Sequence, residues 1–269
     1  MNIEERFHIN QSGRGTDAML FAHGFGCDQS MWRWVAPEFE RNHRVVLFDL
    51  AGSGRADPTA YDRSRHGSLD GYARDVLDIV DALDLRNVTF VGHSVSSIIG
   101  LLAAIEEPER FERLILVSPS PCYINDGTYS GGFSRGDIEG LIDALDSNYL
   151  GWASSMAPLI MGRPDRLDLV QELENSFCRT HPDVARAFAR VTFLSDNRED
   201  LCLVRTPSLI LQVTDDVIAP VAVGRFMHDR LPNSELCLVE TRGHCPHMSA
   251  PRQTVDAMKK YLARHSDHV

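Results

Sequence analysis

A serine flanked by small residues follows one of the clearest strand patterns in the chain. The run Val88–Val91 leads into Gly92-His93-Ser94-Val95-Ser96, and an almost wholly apolar helical pattern begins directly afterwards. A serine hydroxyl becomes an effective nucleophile when a tight strand-to-helix turn presents it beside a general base, and only small flanking residues fit such a turn. We therefore predict that Ser94 is a nucleophile. The alternative is an ordinary connection that happens to contain a serine.

Candidates for the base and its orienting acid occur later in the chain, in the order that such a serine requires. Asp215 and Asp216 follow the apolar run Leu209–Val213, and His244 follows the run Leu236–Val239. Side chains at the carboxyl ends of parallel strands meet at one edge of the sheet. We predict His244 as the base, rather than a surface loop histidine, and Asp216 as the acid. Asp215 remains the alternative acid, because two adjacent carboxylates cannot both face the imidazole ring.

A glycine-containing turn follows the first apolar run and supplies a candidate for anion stabilisation. The segment is His23-Gly24-Phe25-Gly26. Attack on a carbonyl creates an oxyanion that needs preorganised N–H donors, one from this turn and one from the residue after the nucleophile. These donors would be the backbone N–H groups of Phe25 and Val95. Without the serine turn, the segment would be read as a simple glycine turn.

These residues must be positioned by a regular alternation of strands and helices. Short apolar runs recur at Met19–Ala22, Val45–Phe48, Val88–Val91, Leu114–Val117, Leu209–Val213 and Leu236–Val239. Strands that are apolar on both faces are typical of a parallel sheet covered by helices. Because helical patterns lie between the runs, we predict an α/β architecture with buried parallel strands.

Two helices are clear from their periodicity. Leu69–Leu85 has apolar residues at spacings of three and four, with Ser68 as the expected N-cap, and Ser96–Glu106 is apolar on nearly every side. The opposite face of the first helix carries several charged residues. They are Asp70, Arg74, Asp75, Asp78 and Asp81. We expect that face to be solvated.

The alternation stops between about Pro121 and Leu194, where helical patterns continue without a buried strand. We predict a helical insertion over residues 122–194, lying at one edge of the sheet between two of its strands. The α/β core would then consist of residues 1–121 and 195–269.

Composition narrows the possible partners. The chain has 27 basic and 38 acidic residues, a net charge of −11, which repels nucleic acid and anionic lipid headgroups. The stretch from Met1 to Gln11 lacks the apolar segment of a secretory signal. Six scattered cysteines contain no C-x-x-C pair, which indicates reduced thiols. We therefore expect a soluble, cytoplasmic protein.

Five segments together resemble a known family. They are His23-Gly24-Phe25-Gly26-Cys27-Asp28-Gln29-Ser30, Asp49-Leu50-Ala51-Gly52-Ser53-Gly54, Gly92-His93-Ser94-Val95-Ser96, Ser118-Pro119-Ser120-Pro121-Cys122-Tyr123 and Gly243-His244-Cys245-Pro246-His247-Met248. The chain resembles the α/β-hydrolases over nearly its whole length, and within them the bacterial RsbQ-type stress-response hydrolases and the plant strigolactone and karrikin receptors. Ser96 replaces the glycine of the general serine motif and matches the plant receptors.

The resemblance implies the roles predicted above: Ser94 as nucleophile, Asp216 as acid, His244 as base, and Phe25 and Val95 as oxyanion donors. It further implies that four helices of the insertion form a V-shaped lid over a deep apolar pocket. The expected wall residues are Phe25, Phe133, Trp152, Met156 and Phe193. Ordinary helix packing is the alternative for each of them. The resemblance also favours a monomer.

Two features are expected to carry no separate chemistry. His244 and His247 are three residues apart, but no further ligand is near in sequence and Pro246 disfavours a helix that would present both, so we expect no metal site. Gly52-Ser53-Gly54 lacks the spacing of a phosphate-binding loop and is expected to be a structural turn.

Two functional hypotheses follow. The first is a serine hydrolase that cleaves an ester or lactone of a small, largely apolar molecule without a cofactor. The second is a ligand sensor with slow turnover, whose lid binds a regulatory protein such as a PAS-containing phosphatase, as the resemblance to the RsbQ-type proteins implies. Fold alone does not decide between them.

Overall fold

Seven strands form one mostly parallel sheet in the computed structural model, which describes residues 2–265. In chain order the strands are β1 (Asn10–Ser12), β2 (Ala18–Ala22), β3 (Arg44–Phe48), β4 (Val88–His93), β5 (Phe111–Val117), β6 (Ser208–Asp215) and β7 (Ser234–Arg242). The spatial order is β1-β3-β2-β4-β5-β6-β7, and among these strands of residues 2–265 only the β1–β3 pair is antiparallel. All six predicted runs are strands, and the α/β class is confirmed. Met1, from the N-terminal stretch considered above, and residues 266–269 of the predicted core lie outside the described residues.

The two edge strands differ from the sequence expectation. β1 has three exposed polar residues, so it carries no apolar signal, and it forms through backbone pairing with β3. β7 was expected to be fully buried, which is wrong: most of its residues are partly exposed, and Leu238 is 41% exposed. A strand at the edge of a sheet has only one neighbour, and one of its faces therefore reaches solvent.

Helices flank the sheet on both faces. In chain order they are α1 (Ile3–Arg6), α2 (Leu69–Ala82), α3 (Val95–Glu106), α4 (Arg135–Ser147), α5 (Tyr149–Met161), α6 (Leu167–Arg179), α7 (Pro182–Leu194), α8 (Val221–Arg230), α9 (Pro246–Ser249) and α10 (Pro251–Arg264). Apolar residues of α2, α3 and α8 form one core layer, while α10 and the insertion contribute to the other. Successive β2 residues alternate between the layers, as Leu20 and Phe21 show.

The helix α2 confirms the expected N-cap position and corrects one expectation about its charged face. Ser68 occupies the N-cap position, but its hydroxyl donates a hydrogen bond to Asp70 instead of accepting one from a helical N–H. Asp75, expected on a solvated face, is 1% exposed. Its carboxylate contacts His66 Nε2 and Arg65 Nε, each at 2.8 Å. A buried carboxylate requires such partners, and these come from a loop that helical periodicity does not describe.

The insertion leaves the sheet after β5 and returns at β6, and these strands are adjacent in the sheet interior. The helices α4 to α7 all lie within the predicted residues 122–194. The helices α5, α6 and α7 lie above the carboxyl ends of the strands, since their side chains share a cavity with Ser94 and His244. Among the described residues, no helix is both long and apolar enough to cross a membrane.

Candidate active site

Ser94 occupies a strained turn between β4 and α3. Its φ is +56°, a value that non-glycine residues rarely adopt, and its N–H donates to the carbonyl of Val117 in the neighbouring strand at 2.8 Å. A Cβ at Gly92 would lie 2.5 Å from the carbonyl oxygen of Ser96, so only glycine fits there. The small flanking residues thus hold the Ser94 hydroxyl at the end of β4, as the serine motif predicts.

A continuous chain of hydrogen bonds connects Ser94, His244 and Asp216. The distance from Ser94 Oγ to His244 Nε2 is 2.7 Å, and that from His244 Nδ1 to Asp216 Oδ2 is 2.8 Å. All three residues are buried, at 5%, 4% and 7% exposure for Ser94, His244 and Asp216. In this arrangement, His244 Nδ1 donates to the carboxylate while Nε2 is placed to accept the serine proton.

Of the two candidate acids, Asp216 is the one whose carboxylate contacts His244. The carboxylate of Asp215 is exposed and pairs instead with Arg242 at 2.8 Å. The second oxygen of Asp216 accepts hydrogen bonds from the N–H groups of Ile218 and Ala219, at 2.8 and 3.2 Å. The backbone after β6 therefore fixes the carboxylate so that its other oxygen faces the imidazole.

The two expected oxyanion donors come from different parts of the chain: Val95 follows Ser94 directly, and Phe25 lines the same cavity as Ser94. Val95 is the first residue of α3, so its N–H has no intrahelical acceptor, and Phe25 lies in the turn after β2. Neither N–H donates to another backbone group within residues 2–265. The hydroxyl of Ser96 donates to the carbonyl of His23, which joins α3 to the turn that carries Phe25. The serine in place of the usual glycine thus has a structural role that sequence reasoning did not find.

A narrow cavity lies between Ser94 and the helices of the insertion. Four of the five predicted wall residues line it: Phe25, Trp152, Met156 and Phe193. The volume of this cavity is only about 30 Å³, whereas small-molecule sites typically have volumes of several hundred Å³. The resemblance implied a deep pocket, but in this conformation the cavity is small, and aromatic rings pack against one another in its wall, with the Phe25 and Phe193 rings 5.8 Å apart.

The fifth predicted wall residue, Phe133, does not line this cavity. It lies in a neighbouring groove between α4, α5 and the segment after Asp216. The backbone explains this position, because Phe133 N–H bonds to the carbonyl of Tyr123 and keeps the segment before α4 beside that loop. The groove and the cavity share Trp152, Met156 and Ile218, so these side chains form the wall between them.

Several cavity residues were not singled out as wall residues from sequence. Tyr123 is the most informative, because its hydroxyl is 3.5 Å from Ser94 Oγ. Burial raises the pKa of Tyr123 to about 12, so the phenol keeps its proton at neutral pH. Tyr123 ends the family segment Ser118–Tyr123, but this irregular stretch has no periodicity that predicts where its side chain lies. Thr192 and Phe177, from α7 and α6, also reach the wall.

The loop that carries His244 packs against the end of α5. The His244 N–H donates to the carbonyl of Ile160 at 2.7 Å. Gly243, at φ +88°, lies so close that an added Cβ would meet the carbonyl oxygen of Met161 at 1.9 Å. The position of the candidate base thus depends on the insertion as well as on the sheet.

Side chains that could bind metal form a different group from the one considered in the sequence. His93, Cys245 and His247 have ligand atoms within 4.8 Å of one another, and all three are buried. Burial lowers the pKa of His93 and lowers that of His247 to about 3, while it raises the pKa of the Cys245 thiol. Without a bound cation the three groups are therefore uncharged. The absence of a metal at His244 and His247 stays a prediction.

The loop Gly52-Ser53-Gly54 has a structural explanation. The carboxylate of Asp49 accepts hydrogen bonds from the N–H groups of Gln29 and Arg55, each at 2.8 Å. A Cβ at Gly54 would lie 2.5 Å from that carboxylate. The glycine therefore allows the turn to close on Asp49, as expected of a structural turn.

Comparisons with known proteins agree with this fold. The sequence pattern of the Alpha/beta hydrolase family matches residues 19–257. Strigolactone esterase D14 of Arabidopsis thaliana is 39% identical, covering 98% of each chain, and Karrikin insensitive 2 receptor IA of Petunia hybrida is 37% identical, covering 97% of this chain and 96% of its own. A hydrolase from Oleispira antarctica superposes with a TM-score of 0.95 at 43% identity, covering 98% of this chain and 97% of its own. The chain belongs to the alpha/beta hydrolase family.

Proposed function

We propose that this protein is a serine hydrolase that cleaves an ester or lactone of a small, largely apolar molecule and needs no cofactor. The observation that carries the proposal is the hydrogen-bonded chain from Ser94 Oγ through His244 to Asp216. A serine, a base and an orienting acid in this order activate a hydroxyl for attack on a carbonyl. The apolar cavity wall and the relative named as a strigolactone esterase support the substrate class.

In the proposed mechanism, His244 accepts the Ser94 proton as the hydroxyl oxygen attacks the ester carbon. The N–H groups of Phe25 and Val95 stabilise the oxyanion, and His244 then protonates the leaving alcohol. A water molecule, deprotonated by His244, releases the acyl group and restores Ser94. Asp216 stabilises the imidazolium that forms in each half of the reaction.

We propose that residues 122–194 act as a lid over this site. The cavity has a volume of only about 30 Å³. Substrate binding therefore requires the aromatic side chains or the helices to move. The shared wall of Trp152, Met156 and Ile218 separates Ser94 from the much larger groove outside. Displacement of this wall would open a path to the nucleophile.

A ligand sensor is the second candidate, and two observations favour it. The His244 loop is hydrogen-bonded to the end of α5, so occupation of the site can change the insertion. The insertion also carries exposed leucines, including Leu150 at 59% and Leu167 at 73% exposure. Such side chains suit contact with another protein. In this proposal, a cytoplasmic monomer binds its ligand, turns over slowly, and presents the lid to a regulatory protein such as a PAS-containing phosphatase.

Hydrolysis of short p-nitrophenyl esters tests the first proposal. We expect Ser94→Ala to lower kcat by about a thousandfold or more. Ser208→Ala, which changes a buried serine at the start of β6, is the matched control and should keep its activity. Unchanged hydrolysis by Ser94→Ala would exclude Ser94 as the nucleophile. A kcat of about 1 s⁻¹ or more on a metabolite favours an enzyme, whereas near-single turnover with ligand-dependent capture of the phosphatase favours a sensor.

A further inference from the structure

Thr192, in the last turn of α7, has a buried hydroxyl without a partner. The residue is 1% exposed and lines the cavity beside Ser94, and its Oγ1 makes no hydrogen bond within the described part of the chain. A threonine in a helix commonly donates to the carbonyl three or four residues earlier. Thr192 does not, although the carbonyl groups of Phe188 and Ala189 lie in those positions.

An unpartnered hydroxyl at this position is unfavourable for the fold itself. Burial removes it from water, and no group among residues 2–265 replaces the lost hydrogen bonds. Valine has nearly the same shape without the hydroxyl. It would suit this apolar part of the wall, where the next residue in the chain is Phe193. The hydroxyl therefore gains a favourable interaction only when something else occupies the cavity.

A second unpartnered polar group lines the same cavity. The indole Nε1 of Trp152, in α5, is buried and also makes no hydrogen bond among residues 2–265. An indole N–H only donates, and a threonine hydroxyl can donate. Both groups are thus suited to an oxygen acceptor. The Tyr123 hydroxyl lies 3.5 Å from Ser94 Oγ and therefore belongs to the reacting end of the site.

We infer that Thr192 determines specificity by hydrogen-bonding an oxygen atom in the part of the substrate that does not react. The preferred substrates are then esters or lactones with a second acceptor oxygen, such as an ether or carbonyl, on an otherwise apolar body. This inference rests on the proposed function for its reaction, but the binding preference can be measured without turnover. A site that hydrogen-bonds one substrate atom discriminates against the analogue that lacks it, because its own group is then left unpaired.

Matched ligand pairs test this inference in the full chain carrying Ser94→Ala. The ether members are methyl methoxyacetate, methyl 3-methoxypropanoate and methyl 4-methoxybutanoate, and the alkyl members of equal length are methyl butanoate, pentanoate and hexanoate. Calorimetry measures Kd for each pair in proteins that carry Thr192, Thr192→Val or Thr192→Ser. We expect Thr192→Val to weaken binding of at least one ether ester by about tenfold, with the alkyl partner changed less than about twofold. Thr192→Ser should bind as the protein with Thr192 does.

Thermal unfolding provides a second measurement. Thr192→Val should raise Tm in the absence of ligand, because it removes an unpaired buried hydroxyl. Equal ether-to-alkyl Kd ratios in all three proteins, no detectable binding of any ether ester to the protein with Thr192, or a lower Tm for Thr192→Val would each overturn the inference. Failure of the proposed function gives a different result, namely ester hydrolysis that persists in Ser94→Ala.

Discussion

Ile160 and His244 are joined by a hydrogen bond of 2.7 Å, from the His244 N–H to the Ile160 carbonyl. The bond connects the last turn of α5 to the loop that presents the imidazole. A helix end leaves carbonyl groups without intrahelical partners, and His244 satisfies one of them. The insertion therefore does more than cover the cavity, because it also holds the backbone of the candidate base.

Gly162→Ala tests this coupling. Gly162 has φ +63°, and an added Cβ would lie 2.7 Å from the backbone of Gly243. We expect a lower Tm and a decrease in kcat of about tenfold or more, since the methyl group displaces the His244 loop. Gly140→Ala, in α4 of the same insertion, has open space around the new methyl group, so it should keep kcat and should not lower Tm, because alanine favours a helix more than glycine does. A lower Tm with unchanged kcat would show that His244 does not depend on α5.

Ser96→Ala tests the connection between α3 and the turn that carries Phe25. Loss of the hydroxyl leaves the buried His23 carbonyl unpaired, which costs about 1–3 kcal/mol of unfolding free energy. We also expect kcat to fall by about tenfold with little change in KM, because one oxyanion donor is displaced. Ser208→Ala also removes a buried hydrogen bond to a backbone carbonyl, but far from the site, and should affect stability alone. Equal effects of both variants on kcat would contradict this role of Ser96.

Met156→Ala tests the wall between the cavity and the groove. Met156 lines both spaces, whereas Leu141 lines only the groove. We expect Met156→Ala to raise kcat/KM for p-nitrophenyl hexanoate relative to the acetate by about fivefold. Leu141→Ala is the control and should leave that ratio unchanged. If both variants have the same hexanoate-to-acetate ratio of kcat/KM as the unmodified protein, the substrate does not enter through this wall.

Acid stability should depend on His247. Burial is the main cause that lowers its pKa to about 3, with further contributions from His244 and Arg33. Above about pH 6.5 the residue is neutral in both states, whereas below it the unfolded chain takes up a proton that the folded chain excludes. The free energy of unfolding should therefore decrease as pH falls from about 6.5 towards 3, by at most about 1.4 kcal/mol per pH unit for this residue.

Measured Tm between pH 7 and pH 5 tests this expectation. His247→Phe cannot titrate and should show a smaller decrease in Tm over this range than the unmodified protein. His228→Gln changes an exposed histidine and should show the unmodified decrease. The three proteins are compared by the slope of Tm against pH. A constant offset in Tm that results from altered packing does not change this slope. Identical slopes in all three proteins would contradict a neutral, buried His247.

The sequence was most informative where chemistry and local structure coincide. Ser94 and His244 each follow an apolar strand, so strand topology brings them to one edge of the sheet. Asp216 could not be separated from Asp215 in the same way, because adjacent residues share that position. The two residues differ in their contacts: Asp215 pairs with Arg242, whereas Asp216 accepts hydrogen bonds from the N–H groups of Ile218 and Ala219. These contacts depend on the folded loop.

Long-range packing explains what the sequence did not reveal. Asp75 lies in a helical pattern of exposed charges, yet contacts from the loop residues Arg65 and His66 bury it. Tyr123 and Phe133 both belong to the irregular segment before α4, and only the folded backbone places one beside Ser94 and the other in the outer groove. Periodicity describes regular elements, so residues in irregular segments escape it.

Covalent labelling of the full chain with a fluorophosphonate tests whether Ser94 is a nucleophile that His244 activates. The Ser94 oxygen would displace fluoride from phosphorus, and mass spectrometry of the intact protein and its peptides locates the adduct. We predict a single adduct on Ser94 and a labelling rate that falls by about a hundredfold or more in His244→Gln, because the serine then lacks its base. An adduct on another residue would exclude Ser94 as the nucleophile, and an unchanged rate in His244→Gln would exclude His244 as its base.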